Sequence, residues 1–587
     1  MGAVALTPAC QAAQKAASGS GRGGAKALWT YIFRSVLMKK NSLTTAVVAG
    51  VAGAAGLVNV ATAVNLNPDG LGQVLIYPYY TVNGGNATLI SVVNTVDEVK
   101  AVKVRFLEAK NSREVLDFNL YLSPFDVWTA AVTDNGGGTT AARLFTSDTS
   151  CTVPTIPAGG VDFRNFAYAG NTPATNDDAE NDLGRTREGH IEMIEMGVVD
   201  EDWDDPIEMI SAVTGFEAAA THGGDPDGVG VGAPAVPANC QLLVNSWANN
   251  LGANDWASNP DLDVRGPTGG LFGGAIIVNV ANGTAFSYNA DAIDGFYLLG
   301  DGSLHTNPGN LQPSLLSAAT AAGEADSIIF DNGALITLDF ASGRPDAVSS
   351  IFMHDNIYNE YSTVDGFSDT EWVVTFPTKR LHIESTDALA PFSTVSPSHD
   401  DNDSGDGFLF DVSGFCEPIN VTYFDREEQE TGVAPGTVDF SPPPPSQDIV
   451  GLSLCWEANV ITWNQNAEVT AGNSAILGSR FARNIDLLDI DNAVFTEGWI
   501  AMAIGDQFNY LLDLGVSGAG DDTGVEARNQ LFGLPLTGFS VSNFTNANAS
   551  PGVLANYSTI SKHRASRDSQ SVTVTGGVPT PTGNPAS

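Results

Sequence analysis

Residues 400–411, DDNDSGDGFLFD, set oxygen-bearing side chains at alternate positions. On a twelve-residue calcium loop, Asp400, Asn402 and Ser404 fall at positions 1, 3 and 5, Gly405 at the sharp turn and Asp411 at position 12, with Asp406 beside the turn. Such a loop points its oxygens inward together, which is what a hard cation requires. Position 12 is Asp rather than the usual Glu, and no helix is expected on either side, so an acidic solvated turn competes with a calcium site.

Two further runs concentrate carboxylates: TNDDAEND, with Asp177, Asp178, Glu180 and Asp182, and DEDWDD, with Asp200, Glu201, Asp202, Asp204 and Asp205. Clustered carboxylates repel, and either a bound cation or loop hydration relieves the cost. Calcium is therefore the cofactor this sequence suggests. In GHIEMIEMG, His190 and Glu192 share one strand face, but two ligands make no site, and Ile191 with Met193 on the other face fits an ordinary half-buried strand.

The seven histidines are scattered, and H-E-x-x-H, G-x-S-x-G, a P-loop and a dinucleotide fingerprint after a strand are all missing. Glu371 beside Trp372 and Glu497 near Trp499 pair an acid with an aromatic ring, as sugar sites do. With 68 acidic residues such pairs also arise by chance, and no catalytic residue is assigned.

Residues 38–63, MKKNSLTTAVVAGVAGAAGLVNVATA, read as a secretory signal: Lys39 and Lys40, an apolar stretch, and a small-x-small site ending at Ala63. Residues 1–37 show no sustained period, which places the natural start at Met38. A membrane anchor fits less well, since Gly, Thr45 and Asn59 dilute the run and no basic stop-transfer cluster follows. Cleavage after Ala63 leaves 20 basic against 68 acidic residues, a formal charge of −48. Nucleic acid is excluded as a partner on charge.

Export agrees with the cysteines. Cys151, Cys240, Cys416 and Cys455 follow the signal, and sequence-local pairing joins Cys151 to Cys240 and Cys416 to Cys455. A four-thiolate zinc site is the alternative, without any C-x-x-C spacing to favour it.

The elements that must carry these residues are strands. ATLISVVNT, VKAVKVRFLEA, EVLDFNLYLS and DVWTAAVTD are short β-rich runs separated by turn residues, and in the second Val102, Val104 and Phe106 alternate with Lys103 and Arg105, the period of a half-buried strand. Asn282-Gly283 lies between two alternating runs, a hairpin signal. Asp205 and Pro206 open a short helix in DDPIEMISAVTGFEAAA, PSLLSAATAAGEA reads as another, and EYSTVDGFSDTEWVVTFPTKRLHI as strand. VKVRFLEAKNSRE is echoed by INVTYFDREEQE, which would fit a duplicated sandwich.

The expected fold is mainly β: tandem immunoglobulin-like β-sandwich domains with long loops and a few short helices. N-terminal sandwich strands occupy 64–135, a loop-rich insertion 136–265, a central β-rich region 266–395 and a C-terminal β-rich region 396–565. The last contains a Pro-rich loop at 441–446, and a polar tail follows at 566–587.

TEWVVTFPTKR, GGAIIVNVANGTAFSYNADAI and RFLEAKNSREVLDFNLYLSP resemble segments of large, uncharacterised exported proteins of Gram-negative bacteria. In its low Cys and Met, high Gly and acidic pI the chain is similar to bacterial surface-layer proteins. No catalytic residues come with that resemblance. The function expected is a secreted cell-surface structural protein, surface-layer-like or a coat component and not an enzyme. It would associate with itself or with cell-surface components and be stabilised by calcium, with no membrane span left after signal removal. The other classes are a carbohydrate-binding adhesin, using Trp128, Trp372 and Trp499 as stacking faces for glycans, and a secreted hydrolase. The periplasm is the second expected location.

Overall fold

Alternation of apolar and polar residues drives most strands here, and the computed structural model describes them over residues 63–575. It omits short internal stretches, the longest at 202–214, 224–235, 393–415, 432–452, 464–473, 485–495 and 515–524. The structure is mainly β, with a few short helices. The 441–446 loop lies outside the described residues, as do Asp205 and Pro206; the described part of their predicted helix is α1 (Phe216–Ala220).

A first pair of sheets is built on β1 (Val74–Thr81), β2 (Ala87–Asn94), β3 (Val99–Glu108), β4 (Glu114–Leu122), β5 (Val127–Asp134), β6 (Ala142–Phe145), β7 (Glu188–Val199), β8 (Leu271–Asn279), β9 (Thr284–Asn289) and β10 (Asp291–Asp294). One sheet runs β10-β1-β7-β3-β4 and the other β9-β8-β2-β5-β6, each extended by two-to-three-residue strands. Tyr77, Val104, Phe106 and Met193 from the first face Ile90, Val92, Trp128 and Leu144 from the second in one core. With eight and six strands, these sheets are larger than those of an immunoglobulin domain.

A second pair follows on β11 (Asn356–Ser362), β12 (Ser368–Thr375), β13 (Glu417–Asp425), β14 (Glu430–Thr431), β15 (Ala458–Thr462), β16 (Arg483–Asn484), β17 (Glu497–Ile504), β18 (Thr537–Ser550), β19 (Val553–Lys562) and β20 (Arg564–Ser566). Its sheets run β20-β11-β17-β13-β14 and β19-β18-β12-β15-β16. Strand for strand, this is the order of the first pair, each strand number raised by ten. Apart from β15 with β16, which are parallel, the pairings keep their antiparallel sense.

Side chains repeat as well. At the β1–β2 corner the Thr88 hydroxyl accepts from Thr81 N at 3.0 Å and donates to Thr81 O at 2.9 Å. At the β11–β12 corner the Thr370 hydroxyl does the same with Ser362 N and O, both at 3.0 Å. The two echoed sequence segments lie on β3 and β13, equivalent strands of the duplicate.

Three sequence expectations change. β3 is buried along its whole length rather than half-buried, because its basic residues find carboxylates on neighbouring strands. Lys100 pairs with Glu195 at 2.9 Å, Lys103 with Asp117 at 2.6 Å, and Arg105 with Glu192 at 2.7 Å and Glu114 at 2.9 Å. The described part of PSLLSAATAAGEA makes a 3-10 turn, Leu315–Ser317, closed by a Ser314–Ser317 capping box. Ala319 then bonds to Phe296 O and Leu298 N, which draws the chain out of helix. In the third, strand β12 stops at Thr375 before Pro377, which has no amide hydrogen for a ladder, and Lys379–Ile383 is a helix.

Both disulfides join the sequence-local partners: Cys151 to Cys240 across 89 residues, and Cys416 to Cys455 across 39. The first staples α2 (Cys240–Trp247) over the outer face of the first sheet, where Phe216, Leu243 and Trp256 form a satellite core.

Candidate functional site

The predicted calcium loop, with Asp400, Asn402, Ser404, Asp406 and Asp411, lies outside the described residues. So do Asp178, Asp202, Asp204 and Asp205. The described carboxylates of the two acidic runs are held mainly by protein cations. Arg185 is gripped by Glu108 Oε1 at 2.8 Å, Glu108 Oε2 at 2.9 Å and Asp177 Oδ1 at 2.8 Å. Glu180 pairs with Lys110, Asp182 lies 3.6 Å from Arg480, and Asp200 is 2.9 Å from Arg265. Glu201 accepts from the first turn of α1, at Glu217 N. Mutual repulsion is thus relieved by guanidinium and ammonium groups, and among the described residues no group of three or more His, Cys, Asp or Glu side chains is arranged to hold a metal ion.

His190 and Glu192 share a face, as their spacing predicts, yet do different things. Glu192 holds Arg105, whereas His190 is fully buried with neither ring nitrogen hydrogen-bonded. Burial, aided by the Arg105 guanidinium, pushes the His190 imidazole down to about 3.

One arrangement that the sequence did not signal has the outline of a nucleophile and base. Ser349, on α3 (Asp346–Phe352), has its Oγ 2.8 Å from His382 Nε2 on α4 (Lys379–Ile383) and 2.7 Å from Thr378 Oγ1. Asp346 Oδ1 stands 3.9 Å from His382 Nδ1, too far for a hydrogen bond. Burial lowers His382 to about 3 and raises the Asp346 carboxyl to about 6. Ser349 and His382 have no exposed surface, so no substrate reaches the hydroxyl. The cluster ties α3 to α4.

A further buried polar network lies between the two sandwiches. Residues 474–480 form a strap whose amides and hydroxyl converge on Glu371: Ser474 Oγ donates at 2.8 Å, Ile476 N at 2.7 Å and Leu477 N at 2.9 Å. On the other side the strap meets the first sandwich. Arg480 N donates to Glu188 at 2.7 Å, Thr81 Oγ1 to Leu477 O at 3.1 Å and Asn86 Nδ2 to Ile476 O at 3.1 Å. Tyr79 Oη completes the Glu188 site at 2.7 Å. Gly478 is required there: its φ is +68°, and a Cβ would stand 2.6 Å from the Asn83 backbone. Burial raises Glu188 above the usual carboxylate range and lifts Glu371 to about 7. Nearby, Ala458 N and Glu457 N bond to Ala109 O and Lys110 O, and burial raises the Glu457 carboxyl, which accepts from Ser112 Oγ.

Glu371 is therefore a structural anchor rather than a sugar-site acid. Trp128 and Trp372 are wholly buried. Glu497 pairs with Arg426 at 3.0 Å. Trp499 is different: it is 41% exposed and stacks on Phe424 with ring centroids 4.3 Å apart, and Tyr358 lies 6.5 Å from it.

The open surface of interest is the outer face of β9-β8-β2-β5-β6. Leu89, Phe145, Phe272 and Ile276 stand 40–43% exposed there around a shallow groove of about 560 Å³. No helix among the described residues is long and apolar enough to cross a membrane. Comparison of the chain with protein-family models, with curated proteins and with solved structures finds no match.

Proposed function

We propose that the chain is an exported structural component of a cell surface, surface-layer-like or part of a coat, and not an enzyme. The observation that carries this is the disposition of its polar groups. Among the described residues the ionisable clusters are closed into ion pairs and the inter-sandwich seam, and flat sheet faces stand open. Two disulfides suit an oxidising compartment. Tandem sandwiches, immunoglobulin-like in this reading, would serve as rigid spacers. At a formal charge of −48 after cleavage, neighbouring copies repel, and calcium between their acidic loops offsets that repulsion.

The test is fractionation of the native organism with N-terminal sequencing, followed by light scattering of the purified protein with and without millimolar calcium. A mature start at Val64 in a chelator-released surface fraction is the expected result. A soluble periplasmic protein whose size ignores calcium overturns it.

Trp499 favours a second reading, a carbohydrate-binding adhesin, since an exposed stacked indole suits a sugar face. Binding on a glycan array that disappears in Trp499→Ala supports it. Among the described residues, a hydrolase has the closed Ser349–His382 pair in its favour.

A further inference from the structure

The duplication supplies an internal comparison. In the second sandwich, the outer face of the sheet centred on β12 presents Glu371, Val373 and Thr375, flanked by Ala458, Val460 and Thr462 on β15 and by Thr537, Phe539 and Val541 on β18. All of these residues are buried. What covers them is the first sandwich, through Tyr79, Ala109 and Tyr288, together with the strap residues Ile476 and Leu477.

The equivalent face of the first sandwich is centred on β2. Leu89 lies directly across from Ala131 and Ile276, Ser91 from Thr129 and Gly274, and Val93 from Val127 and Phe272. Here the face is open: Leu89 is 42% exposed, Val127 47%, Phe272 43% and Ile276 40%. The groove at its centre is lined without a single charged side chain, in a chain whose net charge is −42.

We infer that this face is where two copies of the chain meet, packed face to face about a two-fold axis, and that it is the first contact of the assembly proposed above, on which the inference rests. Two observations select a second copy as the occupant. The matching face of the duplicate is closed by another sandwich of the same construction. Two strongly acidic molecules also approach each other at least cost where the centre of the meeting face is uncharged, its nearest charges being the Arg143–Asp162 pair and Asp148 at the β6 edge. Sheets stack about 10 Å apart through such faces, and an isologous contact needs one self-complementary patch. Five strands of up to nine residues span roughly 20 by 30 Å, about 600 Å², or three-quarters of the ~800 Å² per partner of a standard interface.

The experiment is sedimentation velocity of the full chain from sub-micromolar concentration to about 100 μM, in chelator. The wild type is compared with Phe272→Lys/Ile276→Lys and, as a control on another exposed face, Trp499→Lys. A concentration-dependent dimer that persists without calcium is expected. The double variant should dimerise at least tenfold more weakly with an unchanged melting temperature, and the control should match the wild type. A wild-type monomer throughout, or a dimer indifferent to the double variant, overturns the inference, the former leaving the face to a lipid or a glycan. Because chelator is present, a calcium-independent dimer from a protein that proves periplasmic would reject the surface-coat function while retaining this contact.

Discussion

Replacing Glu371 by Gln should change not only stability but its dependence on pH. The carboxyl is fully buried and lifted from its ordinary 4.5 to about 7, chiefly by burial, with three strap donors opposing that rise and the Asp369 charge adding to it. A folded-state value above the unfolded one means that the contribution to stability is complete below pH 4.5. It is lost as pH climbs to 7, a decline of ~3 kcal/mol. Glutamine does not titrate, so that decline disappears. It also offers one acceptor oxygen where Glu371 offers two to Ser474, Ile476 and Leu477, and each buried donor left unsatisfied costs about 1–3 kcal/mol. The variant should therefore be about 2 kcal/mol less stable at pH 5 and equal to the wild type, or slightly better, at pH 8. Urea unfolding at intervals from pH 5 to 8 measures this, and the difference between the two profiles cancels every other titrating group. Parallel profiles would mean that Glu371 is not the buried, neutral anchor described here.

Four other outcomes are expected. His190→Leu should stabilise by about 1–3 kcal/mol in thermal or urea unfolding, since it removes two buried ring nitrogens without partners. The histidines' share of the stability should begin to fall near pH 6.5, opposite in sign to the shares of Glu371 and Asp346. His190 and His382 are held near 3, and His305, His354 and His563 near 4, by burial. At these five sites the unfolded chain therefore takes up protons first as pH falls, and calorimetry from pH 7 to 4 of the wild type against His190→Leu isolates one site's share. Joint replacement of Cys416 and Cys455 by Ser, which opens a loop of 39 residues, should cost about 4 kcal/mol in denaturant unfolding. Trp372→Ala should cost about 3–5 kcal/mol in the same assay, whereas Trp499→Ala, at an exposed site, should cost under about 1 kcal/mol.

Much of the first sandwich was legible because its strands sit at regular spacing. ATLISVVN alternates on β2, and Asn282-Gly283 turns the hairpin between β8 and β9. Pairing of the cysteines followed from sequence proximity. Burial of charge was not legible. Lys103, Arg105, Glu192 and Glu195 look like a solvent face one strand at a time, and only the register of β3 against β4 and β7 shows that each meets its opposite charge. The seam around Glu371 was equally hidden, because its donors come from a strap more than 100 residues downstream. Of the duplication, the sequence kept the echo on β3 and β13 and the corner threonines Thr88 and Thr370. Equivalent residues elsewhere share inward orientation, such as Ile90 and Trp372, rather than identity.

The strap also sets an order of events. Thr81 and Leu477 are bonded across 396 positions, and Asn86 and Ile476 across 390. A chain emerging from its N-terminal end can fold β1 to β10 early, but the polar groups at the Thr81 corner and the buried Glu188 must wait, hydrated, for residues 474–480. Contacts so distant in sequence slow folding. They also make completion a checkpoint: a chain truncated before residue 474 would lack β16 to β20, leave Glu188 exposed and the second sandwich unbuilt, and should be recognised as unfinished by a protease rather than accepted as a shorter stable protein.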